Sequence, residues 1–162
     1  MAANLMSDNP LILLAEDRQD DVVLLQMALA KIAFPHTLEI VNDGEEAIAY
    51  LKGQGRYADH ARYPLPTLLL LDLKMPRQTG FEVLEWLRAT RELKGLRTIV
   101  LTSSADSKDV SRSYELGANA FFEKPLHFGQ LVTLMKTIQE HWLGPCLAPQ
   151  ISRPTPVSDR GR

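Results

Sequence analysis

Short apolar runs recur along the chain at Leu11–Ala15, Thr37–Val41, Thr67–Leu71, Thr98–Leu101 and Ala120–Phe122. Where such a run is apolar throughout, as in Leu68-Leu69-Leu70-Leu71, it reads as a strand buried on both faces, the pattern of a parallel sheet covered by helices. Segments with helical period follow each run, roughly over Asp20–Ala33, Glu45–Lys52, Gly80–Arg91, Lys108–Glu115 and Phe128–His141. The last is the most regular, with Phe128, Leu131, Met135, Ile138 and Trp142 spaced alternately by three and four. Ser107 and Thr79 suit helix N-caps and Gly117 a C-cap, because each type satisfies free backbone groups at that end. The acids Glu16, Asp17, Asp20 and Asp21 suit the start of the first helix.

Strands alternating with single helices predict right-handed βαβ crossovers and an α/β fold. With five such units the expected architecture is a doubly wound five-stranded parallel sheet of order 2-1-3-4-5, flavodoxin-like, with its switch point between strands 1 and 3. The connection from Gly53 to Pro66 is longer than the usual αβ link of about 2–6 residues. It is expected to extend the helix or to form a surface loop pinned by Tyr57 and Tyr63. Residues 1–143 are expected to form one domain, and 144–162 a Pro-rich tail.

Bulk composition narrows the function classes. The 162 residues suggest one domain with a single sizeable core, and 45% hydrophobic with 23% charged residues is ordinary for a globular chain. A net charge of −2 offers no general attraction to nucleic acid or an anionic membrane. One cysteine, Cys146, excludes an internal disulfide framework and a Cys-rich zinc site. No run approaches the ~18 apolar residues of a membrane span, and Met1–Met6 lacks a basic n-region, so a cytoplasmic location is expected.

The candidate chemistry lies where strands end. Glu16 and Asp17 close the first strand, Asp72 the third, Thr102 and Ser103 the fourth, and Glu123-Lys124-Pro125 the fifth. The carboxyl edge of an open α/β sheet is where ligands sit, so these residues meet if the fold reading holds. Three crowded carboxylates call for a cation, and Mg²⁺ takes one or two carboxylates plus phosphate oxygens and water. Asp17 and Asp72 are the candidate direct ligands, and Glu16 holds a coordinated water. Lys124 pairs with Asp72 at rest and with a phosphoryl oxygen afterwards, while the Thr102 hydroxyl donates to another. Such a set suits in-line phosphoryl transfer, with Asp72 as nucleophile giving an aspartyl phosphate.

Taken together, Pro10 to Leu143 resembles a response-regulator receiver domain. Glu16-Asp17 matches the acidic pair, Asp72-Leu73-Lys74-Met75-Pro76 with Gly80 the phosphoacceptor strand and turn, and Leu101-Thr102-Ser103 the switch hydroxyl. Gly117-Ala118 and Phe121-Phe122-Glu123-Lys124-Pro125 match the switch aromatic and the lysine. The resemblance implies that Lys74 ligates Mg²⁺ through its backbone carbonyl, that Phe121 is the rotameric switch, and that the Lys124–Pro125 bond is cis. Two departures are Glu for Asp at position 16 and Phe for Tyr at 121. The long Gly53–Pro66 connection and the Leu70–Pro76 stretch are similar to single-domain regulators that serve phytochrome-type histidine kinases. The implied partner is such a kinase, with no nucleic acid and no membrane.

For each residue a plainer reading stands beside this one. Asp72 alone suits a turn cap, Thr102-Ser103-Ser104 turn chemistry, Phe121 plain core, and the tail a free end. Leu147, Ile151 and Val157 equally suit an arm on a second subunit, while the resemblance implies a homodimer through the fourth and fifth helices as the family's more usual mode. An aspartyl-nucleophile phosphatase of the haloacid-dehalogenase type needs a second Asp where Lys74 stands, so an enzyme is not expected. No recognition helix or output module is legible after Leu143. A non-phosphorylated pseudo-receiver, acting as a binding scaffold, would be expected to lack Asp72, Asp17 or Lys124.

Overall fold

The leucine run Leu68–Leu71 forms the middle strand of the sheet, and its alternation divides the molecule into two cores. Successive side chains of a strand point to opposite faces, so Leu69 and Leu71 enter one apolar cluster while Leu68 and Leu70 enter the other. The computed structural model describes residues 9–103, 106–143 and 150–155. Its elements are β1 (Leu11–Ala15), α1 (Gln19–Lys31), β2 (Thr37–Val41), α2 (Gly44–Lys52), β3 (Leu68–Leu71), α3 (Gly80–Ala89), β4 (Arg97–Thr102), α4 (Ser107–Glu115), β5 (Ala120–Glu123) and α5 (Phe128–Trp142). All five strands are parallel, in the order β2-β1-β3-β4-β5.

One core lies under α2 and α3 and contains Leu13, Val41, Leu69, Leu71, Val83, Leu84 and Val100. The other lies under α1 and α5 and contains Ile12, Leu14, Val22, Leu25, Leu70, Ile99, Met135 and Ile138. Both faces of the sheet are thus sealed, which is why β1 and β3 carry no polar alternation.

Helix starts follow side-chain chemistry, with corrections to the sequence reading. The Thr79 side chain accepts from Glu82 N–H as expected, but α4 is capped by Asp106 rather than Ser107. Asp106 has extended backbone and its carboxylate accepts from Lys108 N–H at 2.9 Å, which leaves Ser107 inside the first turn. α1 has Arg18 at its N-cap with no side-chain bond, so Glu16 and Asp17 do not cap it. Phe128 is 37% exposed: the first turn of α5 projects past the core, and burial begins at Leu131.

The connection after α2 contains a 3₁₀ turn at Gly55–Tyr57 and is ordered by aromatic packing. Tyr50, Tyr57 and Tyr63 pack with ring centroids 5.0–6.0 Å apart, one pair tilted and two edge-on. The tail residues 150–155 lie on their own domain. Ile151 packs on the α2–α3 core, Ser152 N–H donates to Glu92 O at 3.1 Å, and the Arg153 guanidinium donates to the carbonyls of Tyr50, at 2.8 Å, and Tyr63. Leu147, Val157 and Cys146 fall outside the described residues.

Candidate functional site

The sheet ladder itself places the functional residues. Glu16 N–H extends the β1–β2 ladder to Val41 O, Asp72 N–H extends β3 to Ala15 O, and Lys124 N–H extends β5 to Thr102 O. Each residue just past its strand is therefore held by a backbone bond to the neighbouring strand, and their side chains converge at the carboxyl edge. Ligand atoms of Glu16, Asp17 and Asp72 lie within 4.8 Å of one another, with Glu16 and Asp72 buried and Asp17 exposed. Oxygen donors from two buried carboxylates and one open to solvent suit a hard divalent cation that keeps part of its water shell.

Lys124 lies among these acids. Its Nζ is 2.5 Å from Glu16 Oε2, 2.8 Å from Asp21 Oδ2 and 2.9 Å from Asp72 Oδ2. Burial works against the ammonium, but the hydrogen bonds to Asp21 and Glu16 and the charge of Asp72 outweigh it and hold the lysine above its ordinary range. Glu16 moves the other way for a carboxyl: burial raises its pKa, Lys124 opposes, Asp72 adds to the rise, and the result is about 7. Arg18 N–H donates to Glu16 Oε1 and Lys74 N–H to Asp72 Oδ1, at 3.0 and 3.3 Å, which orients both carboxylates.

Thr102 ends β4 fully buried, and among the described residues its Oγ1 makes no hydrogen bond. A buried hydroxyl without a partner is costly, so such a group at this edge fits an incoming oxyanion. The floor of the site depends on Gly80: a Cβ there would stand 2.4 Å from Asp72 O and 2.7 Å from Leu73 Cα, too close for any other residue without a shift. Phe121 is half-buried against the α2–α3 core, and its N–H donates to Tyr114 Oη at 3.1 Å, tying the edge strand β5 to α4.

Asp17, Asp72, Glu16, Thr102 and Lys124 are thus brought to one edge as the strand-end pattern expected. The expectation of a cis Lys124–Pro125 bond is overturned: among the described residues no peptide bond is cis. Trans is the lower-energy isomer of an X–Pro bond by about 0.5–1 kcal/mol, and with it Lys124 already reaches all three carboxylates. Sequence reasoning missed Asp21 as a partner of Lys124 and treated it only as a helix-start acid. No local signal distinguishes it from Asp20, because the contact depends on how α1 sits beside β5.

Comparison with known proteins points the same way as the geometry. Residues 12–136 match the family described as response regulator receiver domain. Response regulator Rcp1 of Synechocystis sp. is 39% identical over 142 residues, covering 85% of this chain and 95% of that protein. The phosphorylated cyanobacterial phytochrome response regulator RcpA superposes with a TM-score of 0.77 at 38% identity, over 84% of this chain and 95% of the other. The Mn²⁺-bound form of Rcp1 gives 0.74 at 35% identity, over 90% and 99%.

Proposed function

The chain belongs to the response regulator receiver domain family, and from that premise we propose that it accepts a phosphoryl group from a histidine kinase onto Asp72 with Mg²⁺, and signals through protein contacts. The observation that carries the reading is the state of Asp72: buried, bonded to Lys124 at 2.9 Å and within 4.8 Å of Glu16 and Asp17. Asp17, Asp72 and the Lys74 carbonyl would hold Mg²⁺ directly, and Glu16 through water. Bound there, the ion neutralises charge on the transferring group and orients it.

The chain's own residues account for the rest. An Asp72 carboxylate oxygen attacks phosphorus, the P–N bond of the donor phosphohistidine breaks, and its electron pair leaves with the imidazole. Lys124 holds one phosphoryl oxygen and the Thr102 hydroxyl another, which ends the isolation of that buried hydroxyl. Movement of Thr102 lets Phe121 turn inward, and the bond from Phe121 N–H to Tyr114 carries the change to α4.

A kinase partner is supported by apolar side chains exposed around the site. Val23, Leu24 and Met27 on α1 are 43%, 43% and 53% exposed, and Leu126 beside Pro125 is 95% exposed. Leu24 and Pro125 line the same cavity as Asp72 and Lys124. Similarity to Rcp1 and RcpA suggests a kinase of the phytochrome type. No helix among the described residues is long and apolar enough to cross a membrane, and a kinase-fed site belongs in the cytoplasm. We also carry a homodimer in this reading, through the 144–162 tail or through α4, β5 and α5; light scattering on a sizing column of the full chain and of a tail-deleted chain distinguishes the two.

Intact-protein mass after incubation with acetyl phosphate is the direct test. A gain of ~80 Da, one phosphoryl group, is expected with Mg²⁺, and none without Mg²⁺ or in Asp72→Asn. Absence of any gain from both acetyl phosphate and phosphorylated histidine kinases would replace this reading with that of a binding scaffold.

A further inference from the structure

Lys124 has three N–H donors and no acceptor, and three carboxylates take them, one each from Glu16, Asp21 and Asp72. Glu16 and Asp72 also belong to the carboxylate triad within 4.8 Å, together with Asp17; Asp21 does not. The ammonium therefore bridges a cluster suited to a divalent cation and a single acid outside it. Asp21 has a position to serve in that role: it lies in the first turn of α1, its side chain is 26% exposed, and it lines the cavity with Asp72 and Lys124. Arg18 is its other charged neighbour, at 3.9 Å and with a side chain 66% exposed, a contact that solvent weakens.

A cation entering the triad meets Lys124 as a like charge and as a competitor for Glu16 and Asp72. An acid outside the triad offers the lysine a counter-charge that the metal does not need. We infer that Asp21 is a positioning residue that holds Lys124 to one side, so that Glu16 and Asp72 are free to face a divalent cation and, later, a phosphoryl group. Without it, the full charge of Lys124 falls on the two triad carboxylates. This inference rests on the metal-binding part of the proposed function.

The test measures Mg²⁺ binding by calorimetry on the full chain at fixed ionic strength, with no phosphodonor present. Asp21→Asn keeps the side chain's shape and an acceptor but removes the charge; it should bind Mg²⁺ about fivefold more weakly, the scale of one partly screened charge acting on a divalent ion. Asp20→Asn, one residue away on the exposed side of the same turn, should leave binding within twofold of the wild type, since it removes an equal charge without touching the lysine. Asp21→Glu should restore most of the affinity. In a Lys124→Ala background the effect of Asp21→Asn should disappear, because the lysine transmits it. Unchanged Mg²⁺ affinity in Asp21→Asn, equal losses in Asp20→Asn, or persistence of the loss in Lys124→Ala each overturns the inference. Failure of the wild type itself to bind Mg²⁺ instead overturns the metal site, so the two failures are distinguishable.

Discussion

Glu16 is a carboxyl that the fold leaves only part-ionised at neutral pH. Its pKa of about 7, against an ordinary 4.5, arises first from burial and is reinforced by Asp72. Between those two values the folded protein retains a proton that the unfolded chain has released, so stability falls as pH rises from about 4.5 to about 7 and is level beyond. Other carboxylates titrate too, and the contribution is read as the difference between wild type and Glu16→Gln. In urea titrations of metal-free protein, the wild type should lose stability relative to Glu16→Gln as pH moves from about 5 to about 7.5. A difference that does not change with pH would mean that Glu16 is ionised throughout. Asp72, Asp17, Thr102 and Lys124 were all legible in the sequence because each closes an apolar run. The state of Glu16 was not, since it depends on burial that only the packed structure defines.

Local sequence signals located the elements well where periodicity and capping coincide. β1 and β2 run as expected, and α3 starts at Gly80 behind its Thr79 cap. Asp106 escaped notice because Asp and Ser in succession both suit a cap, and only backbone geometry selects between them. The start of α3 also forms the floor under Asp72, which separates two kinds of defect. Thr79→Ala should cost ~1 kcal/mol by loss of a capping bond, with acetyl phosphate labelling close to wild type. Gly80→Ala should cost about 1–3 kcal/mol through overpacking and slow labelling as well, because its Cβ would press on the Asp72 carbonyl. Denaturant melts alongside labelling time courses check both; equal labelling rates in the two variants would remove Gly80 from the positioning of Asp72.

Across the whole molecule, the tail segment 150–155 closes over the connection between α2 and β3. The Arg153 guanidinium joins the carbonyls of Tyr50 and Tyr63, and Ile151 adds apolar contact with the core beneath. Charge-assisted hydrogen bonds of this kind contribute about 1.5–3 kcal/mol, reduced here because Arg153 is only half-buried. Arg153→Ala should therefore lower stability by about 1–2 kcal/mol and speed tryptic cleavage at Arg56 and Arg62. Wild-type stability and cleavage in that variant would show that the tail is not seated on its own domain in solution. Sequence reading marked Ile151 as an anchor and Tyr57 and Tyr63 as pins for the connection, but it did not join the two.

The sequence by itself determined the order of strands and helices, the two-sided burial of the sheet, and the residues that stand at its carboxyl edge. These are local properties: apolar runs, helical spacing, and the residue that follows each strand. Tertiary structure decided which of the neighbouring acids holds Lys124, that the Lys124–Pro125 bond is trans, and that Arg153 reaches residues in the α2–β3 connection. Asp21 and Lys124 are 103 positions apart, as are Arg153 and Tyr50. Contacts across such separations depend on how a helix seats beside a strand to within an ångström or so, and neither spacing nor composition encodes that distance.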